Sequence, residues 1–301
     1  MLTIGITGGT GLIGKHLNVL FTSKDYKVII FSRSRKDTNP NYAYWNPEAN
    51  ECDTTALQQL DGVINLAGAG IADKRWSAKR KKELLDSRVI STRFLITQLR
   101  QHAPNCKIFI GASAIGYYGT DKYDTSSFTE EMQPAADFLS NVCVQWEQEE
   151  KQAADFLRTV IFRIGIVLGK EAGAYAKLSQ PVSYGMVPIL GSGKQIVSWI
   201  HIDDLCRMML FAIEHERMRG MYNAVGPAPA SHKELMKTMA KEKGGMKITV
   251  PVPAIALKIL LGEMSLEVLK STTVSAQKIQ EEGFTYKYNT LIAAVHALEH
   301  Q

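Results

Sequence analysis

The sequence predicts an α/β fold built on a doubly wound parallel sheet, followed by a small, mainly helical C-terminal cap. Two observations carry this prediction. Short apolar strand patterns alternate with helical patterns through the first half of the 301-residue chain. A glycine-rich turn also stands between the first strand and the first helix, where a βαβ unit of such a sheet begins.

The first strand and helix are joined by three regularly spaced glycines. Residues 2–6 alternate apolar and small side chains, as in a short buried strand, and Gly8, Gly11 and Gly14 follow before a helical pattern. Gly8 permits a tight turn with positive φ, Gly11 lacks the Cβ that would hold a pyrophosphate away, and Gly14 permits close helix packing. Free amides at the helix start face the anion, so the turn predicts a Rossmann-type dinucleotide site. The expected contacts here are Gly8, Thr10, Gly11, Leu12 and Ile13.

The second strand, residues 27–32, ends in a basic sequence that bears on the choice of cofactor. NAD-specific sites usually carry an acidic residue at this place to bind the adenosine ribose. Here Ser32 and Arg33 occupy it, and Arg35 and Lys36 follow. A guanidinium neutralises a 2′-phosphate that a carboxylate would repel, so the sequence favours NADP (NADPH) over NAD, with Ser32 and Arg33 as contacts. The alternative is a solvated basic loop.

The next elements bring small residues to the sheet edge. A short edge strand is expected at residues 42–45, a short helix around Leu57 and Leu60, and a buried strand over 62–68. Small residues at the carboxyl end of a strand leave room for a ligand that crosses the edge. The expected cofactor contacts here are Leu66, Ala67 and Gly68.

A basic segment leads into a long helix predicted over residues 77–100. Its first turns carry the run Lys79–Lys82, for which a solvated face is the simplest interpretation. A nucleic-acid surface is the alternative, but the chain lacks the interleaved aromatic residues that such surfaces use, and we expect no nucleic-acid partner. Side chains of this region are also candidates to meet a phosphate or carboxylate of the substrate. These candidates are Lys74, Arg75, Trp76 and Arg88.

Two further strands follow in the first half. A buried strand over 107–113 runs into residues 114–119, a helix is expected over 137–157, and another strand over 159–168. The end of that last strand, at Ile164 and Gly165, is expected to contact the cofactor.

The second half is expected to cover the sheet edge. Residues 173–193 are punctuated by glycines, and a loop is predicted over 188–193. His201 follows a short strand as either a ligand contact or a buried histidine. Helices are predicted at 204–215, from Ser231 with a capping box, and at 254–261, 266–270, 275–282 and 290–299.

Two structural units are expected to enclose a small-molecule substrate. Residues 1–170, with 195–225 returning to the sheet, form the NADP-binding Rossmann domain. Residues 171–194 and 226–301 form the substrate-side cap, and the substrate lies in the cleft between the two.

Composition bears on several classes of protein. Hydrophobic residues make up 45% of the chain and charged residues 22%, and the net charge of +5 is mild. The longest apolar run, residues 248–261, is short and interrupted by prolines and a lysine, so no membrane segment is predicted. The four cysteines show neither metal-ligand nor redox spacing. We expect a cytoplasmic protein without a bound metal, either monomeric or homodimeric.

Several motifs, taken in order, resemble the extended short-chain dehydrogenase/reductases that include nucleotide-sugar epimerases. They are the segments 7–14 (TGGTGLIG), 65–68 (NLAG), 162–169 (FRIGIVLG), 199–204 (WIHIDD) and 222–226 (YNAVG). The segments 68–76 (GAGIADKRW) and 113–119 (SAIGYYG) are similar to an atypical branch, nucleoside-diphosphate-sugar epimerase-like and often described as "epimerase family protein". The resemblance covers essentially the whole chain.

The chain departs from that family at the catalytic pair. The resemblance implies a serine or threonine followed, about two dozen residues later, by Tyr-x-x-x-Lys, in which the tyrosine transfers a proton and the lysine lowers its pKa. Counting from Ser113 reaches Phe138 and Val142, which supply neither a proton nor a charge. The remaining catalytic candidates are Ser113, Tyr117 and Tyr118, and aromatic packing around the cleft is the alternative role of the two tyrosines.

The sequence therefore predicts an NADP-dependent oxidoreductase or epimerase of the extended short-chain type. Its substrate is expected to be a small, anionic or sugar-derived molecule. The departure from Tyr-x-x-x-Lys keeps a second interpretation open, a non-catalytic NADP-binding regulator or redox sensor.

Overall fold

The computed structural model describes residues 1–34, 39, 41–121 and 127–300, so Arg35 and Lys36 of the predicted basic sequence lie outside the described residues. The strands of this part of the chain are β1 (Thr3–Thr7), β2 (Lys27–Ser32), β3 (Tyr42–Asn46), β4 (Glu51–Cys52), β5 (Gly62–Asn65), β6 (Ile108–Ala114), β7 (Arg158–Ile164), β8 (Ile166–Leu168), β9 (Met186–Leu190), β10 (Ile196–Val197), β11 (Trp199–His201), β12 (Gly220–Ala224), β13 (Ala230–Ser231) and β14 (Ile248–Val252). The α-helices are α1 (Leu12–Thr22), α2 (Thr54–Gln58), α3 (Ala78–His102), α4 (Phe138–Lys151), α5 (Gly173–Ser183), α6 (Ile202–Glu214), α7 (His232–Lys243), α8 (Ala254–Leu261), α9 (Ser265–Leu269), α10 (Gln277–Glu281) and α11 (Leu291–His300).

The central sheet is the doubly wound parallel sheet that the sequence predicts. Within the described residues its eight strands run in the order β12-β7-β6-β5-β1-β2-β3-β4, and every neighbouring pair is parallel except β3 with β4. All residues of β1 and β5 are buried, as expected for central strands that helices cover on both sides. The strand order reverses between β1 and β5, and ligands of such sheets bind outside the carboxyl ends at that point.

Helices pack on both faces of the sheet. Leu17 and Phe21 of α1 share one core cluster with Met208 of α6, whereas Leu57 of α2 and Leu95 of α3 belong to a second cluster. Each helix buries an apolar stripe against the sheet and leaves its polar face in solvent. The two separate clusters are the structural signature of a doubly wound fold.

The helix starts follow from local capping chemistry. The Ser77 hydroxyl accepts a hydrogen bond from the Arg80 amide (3.2 Å) at the start of α3. The predicted capping box at the start of α7 is confirmed, because Ser231 and Glu234 each bond the other's backbone amide. These side chains satisfy amide groups that a helix leaves without an intrahelical partner.

One predicted strand is broken in the structure. Residues 159–168 form two strands, because β7 stays in the central sheet while β8 leaves it and pairs with β11. The break lies at Gly165, where a Cβ would stand 2.5 Å from the Ser198 carbonyl oxygen. Only glycine permits the chain to turn this close to the neighbouring backbone.

The predicted loop over residues 188–193 is wrong at its start, because residues 188–190 belong to β9, and the glycine-punctuated segment before it contains α5. Gly173 and Gly185 have positive φ (81° and 85°) and stand at the two ends of α5 rather than inside a loop. β9 is stabilised by parallel pairing with β14, about sixty residues later in the chain. That pairing partner is remote in sequence, so local composition did not reveal the strand.

The C-terminal region forms the predicted, mainly helical cap. The Glu299 carboxylate of α11 accepts hydrogen bonds from the Lys243 ammonium (2.7 Å) and the Tyr175 hydroxyl (2.6 Å). The Asp204 carboxylate of α6 accepts hydrogen bonds from the amides of Lys287 and Tyr288 (2.8 and 2.9 Å). Among the described helices, none combines the length and the apolar character needed to cross a membrane.

A clasp formed by residues 271–273 joins the cap to the loop after β6. The Asp121 carboxylate accepts hydrogen bonds from the hydroxyls of Ser271 and Thr273 (2.8 Å each) and from the Thr273 amide (2.7 Å). Asp121 and its partners stand 150 and 152 positions apart in the sequence. The clasp therefore fixes the loop that begins at the carboxyl end of β6.

Candidate functional site

The glycine turn has the geometry that a bound pyrophosphate requires. Gly8 has a φ of 65°, and a Cβ at this position would stand 2.6 Å from the Leu66 carbonyl oxygen. The Gly11 amide donates to the Gly8 carbonyl (3.0 Å), which closes the turn, and Gly11 caps α1 without a side chain. The first amides of α1 therefore keep their hydrogen-bonding capacity for a ligand.

Polar contacts tie the glycine turn to the end of β5. The Thr7 hydroxyl donates to the Asn65 side-chain oxygen (2.7 Å) and accepts from the Leu66 amide (3.1 Å). The predicted cofactor contacts that follow β5 are Leu66, Ala67 and Gly68. They therefore lie beside the glycine turn and its predicted contacts. Ala67 is buried, whereas Gly68 is exposed at the surface of the edge.

The end of β2 presents a free cation. The Arg33 side chain is 72% exposed, and its guanidinium lies 3.9 Å from the Glu48 carboxylate, an exposed pair of little energetic weight. The Ser32 hydroxyl accepts a hydrogen bond from the Ser34 amide (3.2 Å). Both predicted contacts for a 2′-phosphate therefore stand at the carboxyl end of β2, next to β1.

A buried polar network lies behind the end of β6 and engages two of the three catalytic candidates. The Ser113 hydroxyl donates to Glu147 (2.7 Å), and the Arg163 guanidinium donates to both oxygens of that carboxylate (2.9 and 3.0 Å). Arg163 also donates to the Tyr118 hydroxyl (2.9 Å), which donates in turn to the Asn223 side chain (2.6 Å). All five residues are buried.

This network gives Ser113 and Tyr118 fixed partners. Burial raises the pKa of the Tyr118 phenol well above its ordinary value, although Arg163 opposes the effect. Glu147, Arg163 and Asn223 belong to this network but were not predicted from the sequence. Arg163 carried a usable signal, because a charged residue inside an otherwise apolar central strand needs a buried partner.

Tyr117 is the most accessible of the three catalytic candidates. Its ring lies 3.5 Å from the Arg163 guanidinium carbon and meets the Tyr118 ring edge-on (5.3 Å between centroids). The residue is half-buried, and its hydroxyl has no hydrogen-bond partner among the described residues. Tyr117 thus combines the two predicted features: its ring packs against aromatic and cationic neighbours, and its hydroxyl is available to a ligand.

The first turns of helix α4 pack on the segment that follows β6 and on Trp76. Leu139 packs at Gly116, and the Cys143 thiol donates to the Ala114 carbonyl (3.6 Å). Phe138 instead meets Trp76 edge-on, at 5.2 Å between centroids. Neither the counted residues Phe138 and Val142 nor the residues Leu139 and Cys143 supply the tyrosine and lysine of Tyr-x-x-x-Lys.

The basic segment before α3 is held against the cap. The Trp76 indole donates to the Ile71 carbonyl (3.0 Å), and Lys177 of α5 donates to the Ala72 carbonyl (2.7 Å). Arg75 lies beside Gly262, which follows α8. Lys74 and Arg75 are exposed and Trp76 is half-buried, so these three candidates line the junction between sheet edge and cap.

The two remaining substrate candidates are buried. His201 accepts a hydrogen bond from the Asp203 amide (3.1 Å) and thereby caps α6, and burial lowers its pKa to about 4. Its ring also packs on Tyr288 (3.9 Å between centroids), which favours the alternative of a buried histidine. Arg88 lies under Gly68, beside the edge.

One further cluster lies on the cap. His296 and His300 stand one turn apart on α11, and their imidazoles lie 2.7 and 3.5 Å from the Glu242 carboxylate of α7. Two histidines and one carboxylate are a possible set of metal ligands. Without a metal, protonated imidazoles of His296 and His300 would form ion pairs with the Glu242 carboxylate.

Comparison with known proteins gives whole-chain matches. Residues 4–224 match the model of the NAD dependent epimerase/dehydratase family, and residues 252–298 match a domain of unknown function, DUF1731. The epimerase family protein SAR0825 of Staphylococcus aureus is 36% identical over 296 residues, 97% of each chain. The epimerase family protein YfhF of Bacillus subtilis is 35% identical over 302 residues, 99% of this chain and 98% of its own. The crystal structure of the human epimerase family protein SDR39U1 (isoform 2) with NADPH superposes with a TM-score of 0.89 at 27% identity, covering 99% of both chains.

Proposed function

The chain belongs to the NAD-dependent epimerase/dehydratase family, and from this premise we propose that it binds NADPH and acts as an oxidoreductase or epimerase on a small molecule. The observation that carries the proposal is the glycine turn. The positive φ of Gly8 lets the chain turn against the Leu66 backbone, where a Cβ would clash, and the start of α1 has no side-chain cap, so its free amides face a ligand. The human relative, whose structure contains NADPH, supports the same ligand class.

The preference for NADPH rests on the end of β2. Ser32 and Arg33 stand there in place of the acidic residue of NAD-specific sites. The exposed Arg33 guanidinium is free to pair with a 2′-phosphate, since its Glu48 partner is distant and solvated. We assign the adenosine end of the cofactor to this position.

The proposed course of the cofactor follows the carboxyl ends of the strands. Its pyrophosphate lies on the glycine turn, and its remaining predicted contacts come from the ends of β5 and β7. These proposed contacts are Gly8, Thr10, Gly11, Leu12, Ile13, Leu66, Ala67, Gly68, Ile164 and Gly165. Residues 1–170 and 195–225 act as the binding domain in this proposal, and 171–194 and 226–301 cover the substrate.

The proposed chemistry assigns separate tasks to the catalytic candidates. NADPH, when bound, supplies a hydride to a carbonyl or imine carbon of the substrate. Tyr117 is the preferred proton donor because its hydroxyl is not committed to a partner among the described residues, and the Arg163 cation on its ring stabilises negative charge there. Ser113 and Tyr118 hold Glu147 and Arg163 in position. Lys74, Arg75 and Trp76 are the proposed substrate contacts at the cap junction.

One observation favours a second function, a non-catalytic NADPH-binding regulator. The first turns of α4 hold no tyrosine or lysine: Leu139 packs at Gly116, and the Cys143 thiol, whose pKa burial raises to about 11, donates to the Ala114 carbonyl. Neither side chain transfers a proton at neutral pH. This regulator binds NADPH and changes conformation without turning over a substrate.

The first experiment is calorimetric titration of NADPH and NADH into the native protein and Arg33→Glu. We expect tighter binding of NADPH than of NADH, and a loss of about tenfold or more in NADPH affinity in the variant, with NADH affinity little changed. Lys24→Glu is the matched control, because it makes the same charge change at an exposed position before β2, at the opposite end of the sheet. Equal or absent binding of both nucleotides would overturn the cofactor assignment.

A second experiment separates enzyme from regulator. NADPH absorbance is followed during incubation with aldehydes, ketones and nucleotide sugars, with the native protein and with Tyr117→Phe. Turnover that Tyr117→Phe lowers by about a hundredfold, within the usual effect of a general acid, supports the enzyme. Stoichiometric NADPH binding without turnover of any compound supports the regulator.

A further inference from the structure

Arg88 is a buried cation whose charge no described carboxylate balances. The residue is 8% exposed, and its guanidinium donates one hydrogen bond, to the Leu84 carbonyl of its own helix (3.0 Å). The guanidinium carbon lies 5.0 Å from the centroid of the Trp146 ring. No carboxylate oxygen among the described residues lies within ion-pair distance of Arg88. Most of the five N–H donors of Arg88 therefore have no partner among the described residues.

This arrangement is costly for a folded protein. A guanidinium does not lose its proton under ordinary conditions, so Arg88 stays charged even though burial lowers its pKa. Burying a charge without a partner is unfavourable, and the contact with Trp146 offsets only part of that cost. The other deeply buried arginine of the site, Arg163, has a bidentate carboxylate partner.

The backbone next to Arg88 is shaped to admit the guanidinium to the edge of the site. Gly68 follows β5 and is exposed, and a Cβ at this position would stand 3.0 Å from the Arg88 guanidinium carbon. A larger residue at Gly68 would displace the guanidinium. The donors of Arg88 thus lie directly beneath the strand end that borders the proposed cofactor site, on the side of α4 and Cys143.

We propose that Arg88 is an anion-binding residue of this site and that the substrate carries a carboxylate or phosphate that pairs with it. The bound anion supplies the charge that the protein lacks, and the planar guanidinium offers two parallel donors to it. The positive charge of the site is then supplied by Arg88 of α3. The Tyr-x-x-x-Lys motif of the family would instead supply it by a lysine from α4. This inference rests on the proposed function for the position of the site, and it narrows the substrate to an anionic molecule.

Anion binding is tested with inorganic phosphate and acetate at constant ionic strength, with chloride as the reference anion. The readout is the fluorescence of Trp146, identified by comparison with Trp146→Phe, and titrations are made with and without NADPH. We expect the half-saturating concentration of at least one probe to rise about tenfold or more in Arg88→Gln and less in Arg88→Lys. Arg93→Gln is the matched control, because it removes an exposed arginine of the same helix.

The outcomes separate this inference from the proposed function. Phosphate and acetate responses that are indifferent to Arg88 overturn the inference even if NADPH binds. Arg88-dependent anion binding without NADPH binding supports the inference and overturns the cofactor. A tenfold loss of NADPH affinity in Arg88→Gln, without a change in the probe response, assigns Arg88 to the cofactor and overturns its assignment to the substrate.

A stability measurement excludes a merely structural role. Arg88→Met keeps the length of the side chain and removes the unpaired charge, so we expect an unfolding midpoint in urea equal to or above that of the native protein. Arg93→Met serves as the comparison. A large fall in the midpoint of Arg88→Met alone would show that Arg88 serves the fold, and this result would refute the inference.

Discussion

Glu147→Gln tests whether the buried ion pair organises the site. The Glu147 and Arg163 side chains are 1% and 3% exposed, and the carboxylate accepts two hydrogen bonds from the guanidinium and one from Ser113. Glutamine removes the negative charge and turns an N–H₂ group toward a guanidinium, which has only donors. The buried cation is left uncompensated, and we expect the free energy of unfolding to fall by about 3–5 kcal/mol.

The assay is urea unfolding followed by circular dichroism, with an unchanged slope required for the comparison of midpoints. Glu149→Gln is the matched control on the same helix. Its partner, Arg93, is 60% exposed, so we expect Glu149→Gln to lower the free energy of unfolding by about 1 kcal/mol or less. The double variant Glu147→Leu/Arg163→Met should be more stable than Glu147→Leu alone, because it removes both charges.

Two results would refute the reasoning about this pair. One is a cost for Glu147→Gln no larger than that of Glu149→Gln. The other is a double variant less stable than Glu147→Leu. Either result would mean that Arg163 finds its compensation elsewhere and that Glu147 does not hold the network together.

The remaining predictions concern the glycine turn and a second buried carboxyl group. Gly8→Ala should lower NADPH affinity by about tenfold or more in calorimetry, because its Cβ meets the Leu66 backbone, whereas Gly220→Ala, with positive φ but open space, should leave binding unchanged. Glu150→Gln should raise the urea midpoint increasingly as the pH rises from 5 to 8. Burial raises the Glu150 pKa well above its ordinary value of about 4.3, so above pH 5 the native state of the parent protein holds a proton that the unfolded chain has already released, and each further rise in pH favours unfolding until that proton is lost. Equal midpoints of the two proteins at pH 8 would contradict this reading.

The sheet and the glycine turn were predictable because their signals are local. Apolar strands with small residues at their ends, and glycines at fixed spacing, report the sheet and its edge directly from neighbouring positions. The break at Gly165 and the strand β9 depend on pairing with segments remote in sequence, β11 and β14. Local composition carries no information about such partners, so both were missed.

The same distinction applies to the site. Ser113 and Tyr118 could be selected as polar residues at the end of a strand, but their partners Glu147 and Asn223 stand 34 and 105 positions away. Arg88 was identified by charge and position, whereas its lack of a carboxylate partner could be recognised only from the fold.

The clasp between Asp121 and residues 271–273 affects the order in which parts of the protein become structured during synthesis. A ribosome completes the strands β1 to β7 long before it makes the clasp, and N-terminal units fold first during translation. The loop that bears Tyr117 therefore lacks its tether until most of the chain has emerged, and closing so long a loop has an entropic cost. A nascent chain can hold a formed sheet while the segment after β6 is still untethered, so the proposed site is completed last.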